Sequence, residues 1–337
     1  MCYQKITEGG FVMDLEKQLI LVFGMERSGT TWIGKIFDSH PDVIYKHEPD
    51  SINKLSSIPL FFNGDHFQHE QALKLYINDL PDMNAPSICA KHPILDKNYL
   101  NVVTYNFIKL NALLSKVFKR YVKVDIPIFF NFRKHLPGRR LVWKSIESMS
   151  RFGVLSAIFK DSKKILIIRH PCGFVASVIK GKRSGHMTSV SDDYIDINFW
   201  KSRLTSEVSH EYNLTMEKIL AMSQVEELSW RWLVDNNQAL RDLRDDPNAY
   251  TIVYDELCEN TEKEARKFFD FCQLSWIKPT INFLNLSITK NDEQYFSVFK
   301  NPSESANKWK NQLDVKDINI IKGITKSKDG ASKFFEL

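Results

Sequence analysis

Two runs of residues concentrate the polar groups that chemistry needs. The first is Gly24-Met-Glu-Arg27-Ser28-Gly29-Thr30-Thr31-Trp32, which follows the apolar stretch Leu19-Ile-Leu-Val-Phe. Gly24 and Gly29 have the spacing of the phosphate-cradling loop G-x-x-x-x-G-K-[ST]. Thr30 occupies the lysine position, Thr31 keeps the hydroxyl place, and a cation, Arg27, lies inside the loop. Backbone N–H groups at a helix start, a forked guanidinium and tandem hydroxyls together predict a site for a phosphate-like anion. The missing lysine argues that the anion is not held as an ATPase holds it. A plain turn with Thr30 as helix cap is the bland alternative. Strand, glycine pair, arginine and hydroxyls coinciding count against it.

The second run is Ile165-Leu-Ile-Ile-Arg169-His-Pro171, continuing to Ser177. Arg169 ends a strongly apolar segment and Ser177 lies two helical turns further on. Both can reach one phosphate at a sheet edge; alternatively, Arg169 makes a structural ion pair. Glu48, in Tyr45-Lys-His47-Glu48-Pro49, is a carboxylate near the loop's rim that could take a proton from an attacking hydroxyl. His47 competes for that role. Lys144, in Val142-Trp-Lys-Ser145, could neutralise charge growing on a transferred group, and Lys91 is a similar candidate. Lys308-Trp309 could close over a nucleotide, or belong to a charged helical face with one buried indole.

The elements that must position these residues follow from the apolar pattern. Strands are expected at 19–24, 43–45, 141–144, 165–169 and 250–254. Helices are expected at 31–39, 148–159, from Pro171 through Ser177 to Lys180, 216–243 and 261–272. Trp230, Trp232 and Leu233 should lie on the buried side of the long helix. Alternation of strand and helix predicts an α/β fold with a parallel sheet covered on both faces. Ligands of such sheets sit at the carboxyl ends of the strands, where Arg27, Lys144, Arg169 and Tyr254 fall. Residues 50–140 read as an irregular, acceptor-facing insertion and 182–212 as a polar loop. Phe129-Phe-Asn-Phe132, with Arg133, Arg139 and Arg140 nearby, could bind an anionic sugar or a membrane surface, or form a folded lid with solvated arginines.

The chain has 337 residues, 43% apolar and 26% charged, within the range of one α/β domain with insertions. A net charge of +5 suits a small anionic ligand better than a nucleic acid, which would need a denser basic stripe. Five cysteines, an odd number without a C-x-x-C pair, argue for reduced thiols and a cytoplasmic setting rather than disulfides or a zinc cluster. No signal peptide or membrane-spanning run is evident.

With these residues in view, Gly24–Trp32 followed by His40-Pro-Asp-Val-Ile-Tyr-Lys-His-Glu-Pro49 resembles the 5′-phosphosulfate loop of sulfotransferases that use 3′-phosphoadenylyl sulfate (PAPS). The likeness is to their carbohydrate and tyrosylprotein branches. Arg169-His-Pro171 to Ser177 is similar to the family's 3′-phosphate motif. Leu228–Trp232, Tyr254–Leu257 and Lys308-Trp309 also fit, so the resemblance spans about residues 19–313 of a single P-loop-like domain. It implies PAPS as donor, PAP as product and no metal. Cofactor contacts would fall to Arg27, Ser28, Gly29, Thr30, Thr31, Trp32, Arg169, Ser177, Tyr254 and Lys308. Glu48, Lys144 and Arg27 would be catalytic, Lys144 being favoured over Lys91 by its separation from Arg169. The implied partner is a hydroxyl acceptor: a sugar, a glycolipid or a small alcohol. Two departures stand out. His170 replaces the family's usual aspartate, and Gly181 stands where a further basic residue is common, flanked by Lys180, Lys182 and Arg183. A P-loop nucleotide kinase and a PAP-binding protein without turnover are the rival readings.

Overall fold

Five short strands, buried at nearly every position, form one sheet. In chain order they are β1 (Leu19–Gly24), β2 (Val43–His47), β3 (Arg140–Ser145), β4 (Lys163–Ile168) and β5 (Ala249–Val253). The computed structural model describes residues 15–122, 127–184, 195–290, 298–299, 301–326 and 330–335. All pairings are parallel and the spatial order is β2-β3-β1-β4-β5. Alternate residues of each strand serve different cores. Leu21, Phe23, Trp143 and Leu166 join one cluster, while Ile20, Val22, Val142 and Ile165 join the other. Both faces are therefore covered, which is why successive strand residues are buried rather than alternate ones. The α/β sheet flanked by helices is the fold class expected from the sequence.

The helices that matter to the site are α1 (Thr30–Asp38), α2 (Val102–Val122), α3 (Pro171–Arg183), α4 (Ile197–Arg203), α5 (Gln224–Asp242), α6 (Tyr254–Glu259), α7 (Lys278–Thr289) and α8 (Pro302–Asn307). α1 joins β1 to β2, and α3 follows β4. Pro171 takes the first turn of α3, where its missing N–H costs nothing.

Four expectations need correction. Residues 50–140 are not irregular: they contain a helix at Glu70–Asp79 and the 21-residue α2. The polar character of 182–212 hides α4, whose Trp200 is fully buried and donates to Glu227 at 2.8 Å; residues 185–194 of that stretch lie outside the described residues. The long helix is divided into Met216–Leu220 and α5, because Ser223 and Glu226 form a reciprocal capping box that starts α5 afresh. Trp232 and Leu233 are buried as expected, but Trp230 is only half-buried, edge-on to Tyr212. The arginines after Phe132 are also engaged within the fold. Arg133 pairs with Asp82, Arg139 lies 3.6 Å from Asp42, and Arg140 reaches Gln273 at 2.8 Å.

The end of α1 is held by buried charge. Lys35, 1% exposed, donates to Asp38 at 2.6 Å and to the carbonyls of Lys91 and Pro93 at 2.5 and 3.0 Å. Lys97 reaches the other oxygen of Asp38 at 2.8 Å. One carboxylate thus ties the insertion to the helix behind the anion loop. Removing it strands two ammonium groups, one of them fully buried, so Asp38→Ala should cost about 3–5 kcal/mol in urea denaturation. A loss below about 1 kcal/mol, typical of exposed pairs, would show that this junction is not held by the carboxylate.

Candidate functional site

Five of the candidate groups lie at or just beyond the carboxyl end of a strand, and the sheet order sets them in a row. Glu48 follows β2, Lys144 lies in β3, the glycine loop follows β1, Arg169 follows β4 and Tyr254 follows β5. The loop is thus flanked on one side by the Glu48–Lys144 pair and on the other by Arg169 and Ser177.

The loop itself adopts backbone conformations that few residues tolerate. Arg27 has φ 65° and Gly29 φ 83°. At Gly29 a Cβ would fall 2.2 Å from the Tyr254 ring, so neither conformation nor space admits a side chain. Gly29, not Thr30, is the N-cap residue of α1, and no side chain caps the helix. Its first turn also lacks acidic residues, leaving the positive end of the helix dipole open to an anion. α5 supports the loop from behind. Arg231 pairs with Glu26, and Asn236 lies 3.1 Å from the Met25 sulfur.

The two sequence runs, some 150 residues apart, meet here. Arg27 Nε donates to Ser177 Oγ at 3.0 Å. Arg169 donates to the Arg27 carbonyl at 2.8 Å and to the Ser305 carbonyl at 2.7 Å, and its guanidinium lies 5.0 Å from the centre of the Tyr254 ring. Trp232 Nε1 in turn donates to the Arg169 carbonyl at 2.8 Å. The unusual φ of Arg27 is therefore held from both its backbone and its side chain.

A cavity of about 230 Å³ opens beside these contacts. Arg27, Gly29, Thr30, Thr31 and Trp32 line one side, and Arg169, Ser177 and Tyr254 another. Lys308 and Trp309 complete it from the chain's far end. Ser28 does not line it; it is buried, with its N–H on the Met25 carbonyl at 3.2 Å. Of the three basic residues around Gly181, Lys180 faces this cavity. Ser305, three residues before Lys308 in the same run, and Gln312, three after Trp309, line it too. Two features fit a phosphorylated nucleotide. Among the described residues, Arg169 Nε is buried without a hydrogen-bond partner. At Gly173 a Cβ would lie 3.0 Å from that same nitrogen, so the glycine keeps the approach open.

Glu48 and Lys144 do not line this cavity; they contact each other. Lys144 is fully buried, and burial lowers its pKa against the opposing pull of Glu48. Glu48 is partly exposed, sits at φ 45°, and donates its N–H to the Lys144 carbonyl at 2.7 Å. His47 lies 3.9 Å from the Glu48 carboxylate and shares a hydrogen bond with the Tyr45 hydroxyl at 3.0 Å. Burial, followed by the charges of Lys144, Lys91 and Lys35, pushes its pKa well below the usual histidine range. The imidazole is therefore neutral and weakly basic. Beyond Glu48, the buried Asp50 accepts from Ser145 and, at 2.6 Å, from Ser148, tying this turn to the end of β3.

His170 does the capping work that an aspartate would do: its Nδ1 accepts from the Cys172 N–H at 3.1 Å at the start of α3. Its ring also stacks on Trp309, with centroids 4.7 Å apart and planes 12° from parallel. Burial pushes its pKa down to about 4, and the charges of Lys322, Arg169 and Lys310 act in the same direction. The unfolded chain then binds a proton between pH 6.5 and 4 that the folded chain refuses, so this residue lowers stability as pH falls through that window. The loss from pH 7 to 5 should be about 2 kcal/mol. His170→Asn keeps a capping acceptor and removes the titration. Urea denaturation at the two pH values should show a correspondingly smaller loss; an unchanged loss would refute the assignment.

The description "Sulfotransferase family" belongs to the family model that matches residues 19–278. No match is found among curated proteins. Among solved structures, the sulfotransferase domain from the curacin biosynthetic pathway is 14% identical, with 92% of this chain and 97% of that one covered and a TM-score of 0.44. The sulfotransferase domain of the Synechococcus PCC 7002 olefin synthase has the same identity and TM-score, with coverages of 92% and 94%. Sulfotransferase STF9 from Mycobacterium avium is also 14% identical, with coverages of 98% and 80% and a TM-score of 0.43. The family match takes in β1 through β5 together with the loop, Glu48, Lys144, Arg169, Ser177 and Tyr254, and on that match the chain belongs to the sulfotransferase family.

Proposed function

We propose that this protein transfers the sulfuryl group of PAPS to a hydroxyl of an acceptor, in particular a carbohydrate or glycoconjugate. The observation that carries the reading is the contact of Arg27 with Ser177, reinforced by Arg169 on the Arg27 carbonyl. A ligand filling that cavity would meet the loop at one end and the arginine–serine pair at the other, as a nucleotide with a 5′-phosphosulfate and a 3′-phosphate requires. The loop N–H groups, Arg27 and Thr30 hold the 5′ end; Arg169, Ser177 and Lys180 hold the 3′-phosphate. Lys308 and Trp309 close the cavity from the C-terminal side. PAPS, when bound, supplies an activated sulfuryl group.

The acceptor chemistry falls to the neighbouring pair. Glu48 takes the proton from the acceptor hydroxyl as its oxygen attacks sulfur. Its partial exposure gives an acceptor access that the buried, neutral His47 lacks. Lys144 stabilises charge on the bridging oxygen toward the departing PAP. Positioning and preorganised charge carry most of the acceleration, as in phosphoryl transfer. The likeness to the carbohydrate and tyrosylprotein branches supports a sugar hydroxyl, on a lipid-linked sugar or a polysaccharide precursor, with a small alcohol as the alternative. The odd cysteine count without a C-x-x-C pair supports a cytoplasmic setting.

Calorimetric titration should give tight PAP binding and poor ATP binding. Micromolar ATP binding with magnesium and none of PAP would favour the kinase reading. An acceptor panel with [35S]PAPS should reveal labelled glycan. PAP binding without label on any acceptor would leave a non-catalytic nucleotide binder. Glu48→Gln keeps a polar partner for Lys144 and should cut turnover ~10²–10⁴-fold while PAP affinity stays within about twofold. Full activity in that variant would remove Glu48 from the base role.

A further inference from the structure

Helix α2 (Val102–Val122) carries an unusual surface. Its inner side is narrow: Ile108 and Ala112 pack with Ala90 and Ile128 in a small apolar cluster separate from the two main cores. Its outer side is apolar as well. Val103 and Tyr121 are each 78% exposed, Leu113 is 60% and Leu110 55% exposed, and Phe107, Val117 and Phe118 are exposed too. At about 100° per residue these side chains cover an arc of roughly 140°. A contiguous apolar face of this kind marks an interaction surface.

Charge identifies the occupant. The helix contains Lys109, Lys116, Lys119 and Arg120 and no acidic residue. Helical spacing brings the positions of Lys109, Lys116 and Arg120 together along one border of the apolar arc, whereas that of Lys119 falls on the inner side with Ile108 and Ala112. A cationic border beside an aliphatic and aromatic face matches an anionic bilayer, where apolar groups enter the acyl boundary and basic groups meet lipid phosphates. Two copies of the chain pairing through this helix would bring cationic borders together with no acidic residue to answer them. Among the described residues no helix is long and apolar enough to cross a membrane, so this one would lie in the interface plane. We propose that α2 is an interfacial helix that docks the protein on an anionic lipid surface. The inference is independent of the sulfuryl-transfer reading.

The test is sedimentation of the full chain with vesicles of phosphatidylcholine alone and of phosphatidylcholine mixed with phosphatidylglycerol. Partition onto the mixed vesicles should be about tenfold or more above that onto neutral ones at low salt, and should fall as salt screens the charges. Leu110→Glu/Leu113→Glu/Val117→Glu alters only exposed positions and should reduce partition about tenfold or more, with PAP affinity and thermal melting retained. If the triple variant melts early, Leu113→Glu alone is read in the same assay. Equal binding to both vesicle types, or a variant that binds as the native chain does, overturns the proposal. So does a protein that ignores vesicles yet sediments as a dimer that the variant reduces to monomer; the occupant would then be a second copy.

Discussion

The site depends on one guanidinium. Arg169 is buried at the end of β4, and a charge there is tolerated only if its donors find acceptors. It finds the carbonyl of Arg27 in the loop and the carbonyl of Ser305 near the C-terminal end, and it lies against the face of Tyr254. Three segments far apart in the chain are thereby fastened to one cation. The planar fork matters, because it sends separate N–H donors to the two carbonyls while its face lies against the ring. α5 completes the arrangement by fixing the backbone of Arg169 through Trp232.

The neighbouring Glu48–Lys144 pair follows a different logic. Lys144 is in the interior of the sheet's edge region and His47 is its register partner on β2. Burial makes the lysine costly to charge, and Glu48 offsets that cost. Family membership rests on the sequence match, whereas the proposed division of labour between a donor cavity and the Glu48–Lys144 pair is an argument from geometry. The two groups are next to each other only because β3 and β4 flank β1, an order that the sequence of elements does not display.

Much of this was legible beforehand, for identifiable reasons. Strands buried on both faces read as unbroken apolar runs, and the glycine spacing of the loop reflects a backbone path that only glycine can take at position 29. Arg169 and Ser177 were visible because they stand at fixed offsets from such a strand. The choice of Lys180 among the three basic residues around Gly181, and the places of Ser305 and Gln312 at the cavity, were not, since they come from tertiary approach of segments rather than from a local pattern. Ser28 was carried into the cofactor set by the motif, yet its position in the turn buries it. The insertion 50–140 was misread as irregular because Pro, Asn and aromatic residues dilute the helical period at its ends. Trp200 was overlooked because its helix is short and lies in a polar stretch.

The struts from α5 to the loop bear on how a ligand would be received. Glu26 is anchored to Arg231, Met25 touches Asn236, and Arg27 is fastened at both ends. A cradle braced from outside in this way is already shaped, so little ordering entropy remains to be lost when an anion arrives. Association would then be a rigid docking of charge into a ready receptacle. Substitutions in α5, far from any ligand, would act by letting that receptacle relax rather than by deleting a contact.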